Sequence, residues 1–159
     1  MKTVAIMQPY FFPYIGYFQL ISAVDLFIVY DNIKYTKKGW INRNRILQNG
    51  KEALISLALK SDSDFLDVRD RELAADFKND KLLNQIREAY RHAPYFKQAF
   101  PVVEAVMHYG DRNLFRFLHN SIVIVCEYLR IHSKIAISSA IQIDHSLKNQ
   151  EKVIALCKR

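Results

Sequence analysis

The sequence predicts an α/β protein: a small parallel sheet core of Rossmann-like type with an inserted basic β-hairpin and a helical C-terminal half. Three observations lead there. Two short apolar runs, residues 4–6 and 26–30, flank a stretch of helical pattern, the layout of a compact strand–helix–strand unit with parallel pairing. Asn49-Gly50 separates two strand-like segments, and Asn-Gly is the strongest short-range hairpin signal. From residue 80 onward the apolar residues recur at helical spacing.

Taken in order, residues 3–8 read as a buried strand and residues 15–23 as a helix. The loop between them carries Pro9 and Pro13 with the aromatic residues Tyr10, Phe11, Phe12 and Tyr14. Ordinary strand-to-helix loops are polar and small. The prolines fix φ and push Gln8 and Phe12 towards extended conformations, while Gly16 permits close backbone approach. Such a loop either shapes a ligand pocket or simply packs its aromatics onto an apolar strand. Residues 26–30 form the second strand, ending at Asp31. Residues 43–47 and 53–59 are the hairpin strands, and residues 65–69 are a further short strand. Leu82, Leu83, Ile86, Ala89 and Tyr90 mark a helix that Ala93-Pro94 ends; Pro101 opens the next at its first turn. Asp111 or Asn113 caps a long helix running from Leu114 to about residue 130. Residues 135–137 are a third parallel strand, and Asp144 or Ser146 starts a last helix over residues 147–158. An α/β layer that ends on a basic helix is unfinished, so residues 1–159 are read as one domain, incomplete at its C-terminus.

Composition narrows the class. A chain of 159 residues with 50% hydrophobic content builds a sizeable core, and no apolar run has the length of a membrane span. No signal-peptide pattern precedes the first strand, and the expected location is the cytosol. Cys126 and Cys157 fall in helical patterns and read as small buried hydrophobes. The net charge of +7 is concentrated: residues 32–51 hold Lys34, Lys37, Lys38, Arg43, Arg45 and Lys51 with no acidic residue. This field suits an anionic partner, or else is a solvated hairpin edge guarded by lysines.

The candidate chemistry follows from placement. In a strand, Arg43 and Arg45 share one face, and Asn42 and Asn44 the other. Two guanidiniums on one face can clamp a diphosphate, with Lys38 nearby, and Trp40 and Tyr10 can stack on a base or sugar. Backbone amides near Gly16 would add donors at a helix N-terminus. Asp31 ends the second strand at the carboxyl edge, where parallel sheets bind ligands, and is placed either as a base or as a turn-forming aspartate. His145 can approach the same crevice or serve as a cap or in solvent. The other histidines show no metal-ligand spacing, so no metal is assigned, and no cofactor is named.

Two resemblances add to this. Gly16-Tyr17-Phe18-Gln19-Leu20-Ile21 is similar to the Gly-His-x-x-Leu-Ile sequence of class I synthetases and nucleotidyltransferases. Tyr17 stands where the second histidine would be, so the likeness speaks to nucleotide-binding architecture rather than adenylyl transfer. More specifically, three tracts in order resemble the WbqC-like family: residues 8–21 (Gln-Pro-Tyr-Phe-Phe-Pro-Tyr-Ile-Gly-Tyr-Phe-Gln-Leu-Ile), Asp25-Leu26-Phe27-Ile28-Val29-Tyr30-Asp31, and Lys38-Gly39-Trp40-Ile41-Asn42-Arg43-Asn44. Residues 90–96 share the likeness, which covers essentially the whole chain. Family members continue into further strands beyond the helix that ends here.

The resemblance implies a bacterial cytoplasmic protein of O-antigen (lipopolysaccharide) and other surface-polysaccharide biosynthesis. The implied activity is a transferase, with aminoacyl (glycyl) transfer to a nucleotide-linked amino sugar as its proposed form. By motif match, Gln8, Tyr14, Gly16, Asp31, Trp40, Asn42, Arg43 and Asn44 line the site. Two other classes stay open: a non-catalytic nucleotide-sugar binding or scaffold module, and an RNA-binding protein. The partner expected is a small molecule, a nucleotide sugar, rather than nucleic acid.

Overall fold

The computed structural model describes residues 2–158. In chain order it contains β1 (Val4–Met7), α1 (Ile15–Ser22), β2 (Leu26–Val29), β3 (Arg43–Gln48), β4 (Lys51–Ser56), α2 (Asn79–Tyr90), α3 (Phe96–Met107), α4 (Leu114–Tyr128), β5 (Lys134–Ile137) and α5 (Asn149–Cys157), with short 3-10 turns at Val68–Asp70 and Ser138–Ala140. β1, β2 and β5 form a parallel sheet with β2 in the middle, and β3 and β4 form a separate antiparallel hairpin.

The sequence of β2, Leu-Phe-Ile-Val, explains its position. All four residues are buried, as a strand covered on both faces requires. Phe27 and Val29 face the larger core, which includes Tyr17, Phe18 and Ile21 of α1 and Phe117 and Leu118 of α4. Leu26 and Ile28 face a smaller cluster closed by Leu156 of α5. Alternation along one strand thus directs two helical layers onto opposite sides of the sheet.

The hairpin follows the turn chemistry. Asn49 (φ 51°) and Gly50 (φ 74°) both take the left-handed region that a two-residue type I′ loop demands. Asn113 caps α4 by accepting from the amide of Arg116 at 3.0 Å.

Four local expectations are corrected. Residues 65–69 form no strand; Asp67 makes an isolated bridge to Lys34, and the chain turns at Val68–Asp70. Pro101 lies inside α3 rather than opening it, because Phe96 and Phe100 stack (ring centroids 4.7 Å apart) and start the helix earlier, leaving the proline to omit one backbone bond. Neither Asp144 nor Ser146 caps α5: Asp144 binds the amide and hydroxyl of Ser146 in a local turn, and the cap position falls to Lys148 without a side-chain bond. Cys157 is exposed at the end of α5, whereas Cys126 is buried in α4. Among the described residues no helix is long and apolar enough to cross a membrane.

Burial pushes the Cys126 thiol up to about 11, so its thiolate is scarce at neutral pH. A thiol reagent at pH 7.5 is therefore expected to modify Cys157 alone in the native protein and both cysteines after denaturation, read by intact mass.

Candidate functional site

The three parallel strands end on the same side, delivering Gln8, Tyr30-Asp31-Asn32 and Ser138-Ser139 to one carboxyl edge. Asp31 is 2% exposed there. A carboxylate removed from water must be met by donors, and this one is. Its Oδ1 accepts from Ser138 Oγ at 2.6 Å and from the Ser139 amide at 2.9 Å, and its Oδ2 accepts from Ser139 Oγ at 2.5 Å. The Asp31 amide donates back to Ser138 Oγ at 3.2 Å.

The network extends outward. Ser138 Oγ lies 2.7 Å from Asn32 Oδ1, and Asn32 Nδ2 lies 3.1 Å from His145 Nδ1. His145 Nε2 sits 3.0 Å from the Ile141 carbonyl. A carbonyl only accepts, so Nε2 carries a proton, and in the neutral ring Nδ1 is left to accept from Asn32.

Segment 65–70 runs beside this edge. The amides of Val68 and Arg69 donate to the carbonyls of Ile33 and Asp31, and the backbones of Lys34 and Asp67 pair in an isolated antiparallel β-bridge. Between that segment, residues 30–34 and the start of α5 lies a cavity of about 690 Å³. Its charged lining is Lys34, Lys148, Lys152 and Asp67, with His145 beside them. Lys152 is 6% exposed, with Nζ 3.5 Å from the Asn32 carbonyl and 5.3 Å from the Tyr30 ring centre. Burial pushes the Tyr30 phenol up, and the charge of Asp67 adds to this.

His119 of α4 lines a smaller cavity of about 320 Å³ with Tyr109, Phe115 and Ile137. Burial pulls the His119 imidazole below the usual histidine range, with the charge of Asp31 opposing it.

The hairpin residues gather at a different place. Strand alternation holds: Arg43 and Arg45 both turn to Trp40, their guanidinium carbons 5.9 and 5.4 Å from its ring centre. Arg43 also donates to the carbonyls of Gly39 (3.0 Å) and Lys38 (2.5 Å), closing its own loop, while Arg45 pairs with Glu52 at 3.0 Å. On the other face, Asn42 accepts from Tyr35 and donates to the Leu57 carbonyl. Asn44 Nδ2 donates to the carbonyls of Phe11 (3.0 Å) and Phe12 (2.5 Å), fastening the aromatic loop to the hairpin where Phe12 takes a φ of 44°.

The aromatic loop is knit into the core. Tyr17 is buried, and its hydroxyl donates to the Gln8 carbonyl at 2.9 Å, so it faces inward rather than towards a phosphate. Tyr10 packs on Tyr17, ring centres 5.7 Å apart. Tyr14 is exposed and its ring lies over Gly16, occupying the space a Cβ would need. Lys38 is exposed. A third cavity, apolar and about 410 Å³, opens between Phe12, Asn44, Arg45 and helices α2 and α3. Asp31 thus stands at the carboxyl edge, while Asn44 and Arg45 line the cavity against α2 and α3.

The WbqC-like protein family matches residues 8–159. The chain belongs to that family. Over 46 residues this WbqC-like chain is 59% identical to the uncharacterized protein Rv1507c of Mycobacterium tuberculosis, a stretch that covers 29% of the chain and 20% of that relative. No solved structure matches it.

Sequence reasoning on this WbqC-like chain passed over Asn32, Asp67, Ser138, Ser139 and Lys152. The pair Ser138-Ser139 directly after an apolar strand, matched with Asp31 directly after another, was the available signal. Lys152 gave none, because a lysine in a basic helix reads as solvated.

Replacing Ser138 with Ala removes a buried donor from Asp31 and is expected to cost about 1–3 kcal/mol. Ser22→Ala, on the exposed side of α1, should stay within about 0.5 kcal/mol, both measured by urea unfolding. His119 has a second consequence. A base whose folded pKa is depressed contributes stability above its unfolded value near 6.5 and loses it as pH falls through the lower folded value. The native protein is therefore expected to lose more melting temperature between pH 7 and 5 than His119→Gln does.

Proposed function

We propose that this chain is a transferase acting on a nucleotide-linked amino sugar in bacterial surface-polysaccharide assembly, and that it works in the cytoplasm at the carboxyl edge of its parallel sheet. The observation that carries the reading is the cavity at that edge, walled by Lys34, Lys148 and Lys152 against a single carboxylate, Asp67. In open sheets of parallel strands, ligands bind outside the carboxyl ends, and a surplus of cations there selects phosphorylated substrates.

Within this reading the two carboxylates differ in role. Asp31 is occupied by Ser138 and Ser139, so it serves as a positioning residue that orders Asn32 and His145. Asp67 lines the cavity with its carboxylate free of hydrogen-bond and ion-pair partners among the described residues, and it takes the proton from the acceptor amine. In aminoacyl transfer the amine nitrogen would attack the carbonyl carbon of an activated aminoacyl ester. The N–C bond forms, the ester C–O bond breaks, the amine proton passes to Asp67 and the leaving oxygen is protonated in turn. The loop–hairpin junction, with Trp40 flanked by Arg43 and Arg45, holds the hairpin in place beside the aromatic loop.

A second reading, a non-catalytic nucleotide-sugar module, draws on the Arg43 and Arg45 guanidiniums, both of which already have protein partners. The test is thermal shift against nucleotide-linked amino sugars, the free sugars, nucleotides and a short RNA. A nucleotide-linked amino sugar at a hundred times its Kd is expected to stabilise by about 2.7 kcal/mol, a rise of roughly 5–10 °C. Stabilisation by RNA alone, falling steeply with salt, overturns the proposal. Binding without turnover when an aminoacyl donor is supplied moves the chain to the second reading.

A further inference from the structure

We propose that Lys152 and the amino end of α5 form a phosphate subsite, and that its ligand is the diphosphate of the nucleotide-linked substrate. This rests on reading the carboxyl edge as the substrate site, and it names the part of the substrate held there and the groups that hold it.

Lys152 is the first ground. Its side chain is more than nine-tenths buried, yet among the described residues it makes no ion pair. Its ammonium has three protons to donate, and it meets one carbonyl at 3.5 Å, the outer limit of a hydrogen bond, and the face of Tyr30. Burying an ammonium without a counter-charge is strongly unfavourable, and proteins keep such a group where a ligand supplies the missing charge. The side chain lines the cavity at the sheet edge, so an anion can reach it.

The end of α5 is the second. Lys148 stands at its cap position with no side-chain bond to the first turn, in a helix of nine residues. An uncapped helix start presents free N–H groups and the positive end of its dipole. These groups open on the cavity that Lys152 lines, since Lys148 and Asn149 belong to the same wall. Lys34 and Lys148 add exposed charge at the rim. Asp67 is the one carboxylate in the lining, and against three lysines it leaves the cavity cationic. A point-like ammonium together with backbone amides suits the several oxygens of a phosphate, whereas a carboxylate would leave most of the donors unused.

The arrangement also links ligand to edge. The Asn32 carbonyl that Lys152 touches belongs to the residue whose side chain joins Ser138 to His145. A diphosphate on Lys152 would therefore lie within one residue of the Asp31 network, with the attached sugar directed towards Asp67 and His145.

The experiment is calorimetric titration of pyrophosphate into the native protein and into Lys152→Met, which keeps the apolar stem and removes the charge. Lys97→Ala, an exposed lysine on α3, is the control. Expected are saturable binding to the native protein and the control, weakening with added salt, and at least a tenfold loss in Lys152→Met. The same variant should melt at an equal or higher temperature without ligand, because an unpaired buried charge has been removed. A lowered melting temperature with unchanged pyrophosphate affinity would make Lys152 structural and overturn the proposal, as would no pyrophosphate binding to the native protein. Titration with nucleotide-linked amino sugars separates the two layers. Equal binding to native and Lys152→Met proteins keeps the substrate reading and rejects the subsite. Lysine-dependent pyrophosphate binding, with no nucleotide sugar bound, keeps the subsite and rejects the substrate reading.

Discussion

The buried carboxylate of Asp31 is the constraint around which this molecule is organised. It ends one parallel strand and is held by two serines that end another, 107 and 108 residues away in sequence. Such a group is tolerated in the interior only while its donors are present, so it specifies where they must be. The turn after β5 has to deliver Ser138 and Ser139 to that point, which fixes how far β5 runs beside β2. Asn32 follows directly, its side-chain oxygen 2.7 Å from the same Ser138 hydroxyl, and it brings His145 (through its side chain) and Lys152 (through its carbonyl) to the edge. A single buried charge thereby aligns four separate stretches of chain at one edge.

Much of the architecture was readable from local pattern. The apolar runs of β1 and β2, the Asn-Gly hairpin and the Asn113 cap each carry their own signal within a few residues, and no distant partner is needed to interpret them. One of the failures has the opposite property. Segment 65–70 looks strand-like by composition, but only its Val68 and Arg69 amides reach the carbonyls of Ile33 and Asp31, while those of Leu66 and Asp70 close local turns. Pro101 suits a helix start by propensity, but the stacking of Phe96 on Phe100, a packing fact, begins α3 earlier.

The same division runs through the candidate site. Alternation placed Arg43 and Arg45 on one face and Asn42 and Asn44 on the other, as observed. What those faces meet was not encoded nearby: Glu52 answers Arg45, Asp64 answers Lys37 at 2.8 Å, and Asn44 is spent on carbonyls of the aromatic loop. The concentrated charge of residues 32–51 is therefore less available than the sequence implies. The cationic surface at the sheet edge draws instead on Lys148 and Lys152, over a hundred positions further on, which no local window could have joined to Lys34.

That separation has a consequence in time. β2 occupies the middle of the sheet, but its second neighbour is β5, paired Leu26 to Lys134. At ribosomal rates of about 5–20 residues per second, roughly 5–20 seconds pass between the emergence of the two strands. Throughout that interval the nascent chain shows a bare hydrogen-bonding edge on Leu-Phe-Ile-Val, a sequence well suited to pairing with a neighbour on the same polysome. For β2 that exposure is a feature of synthesis, and it closes when β5 pairs along its free side.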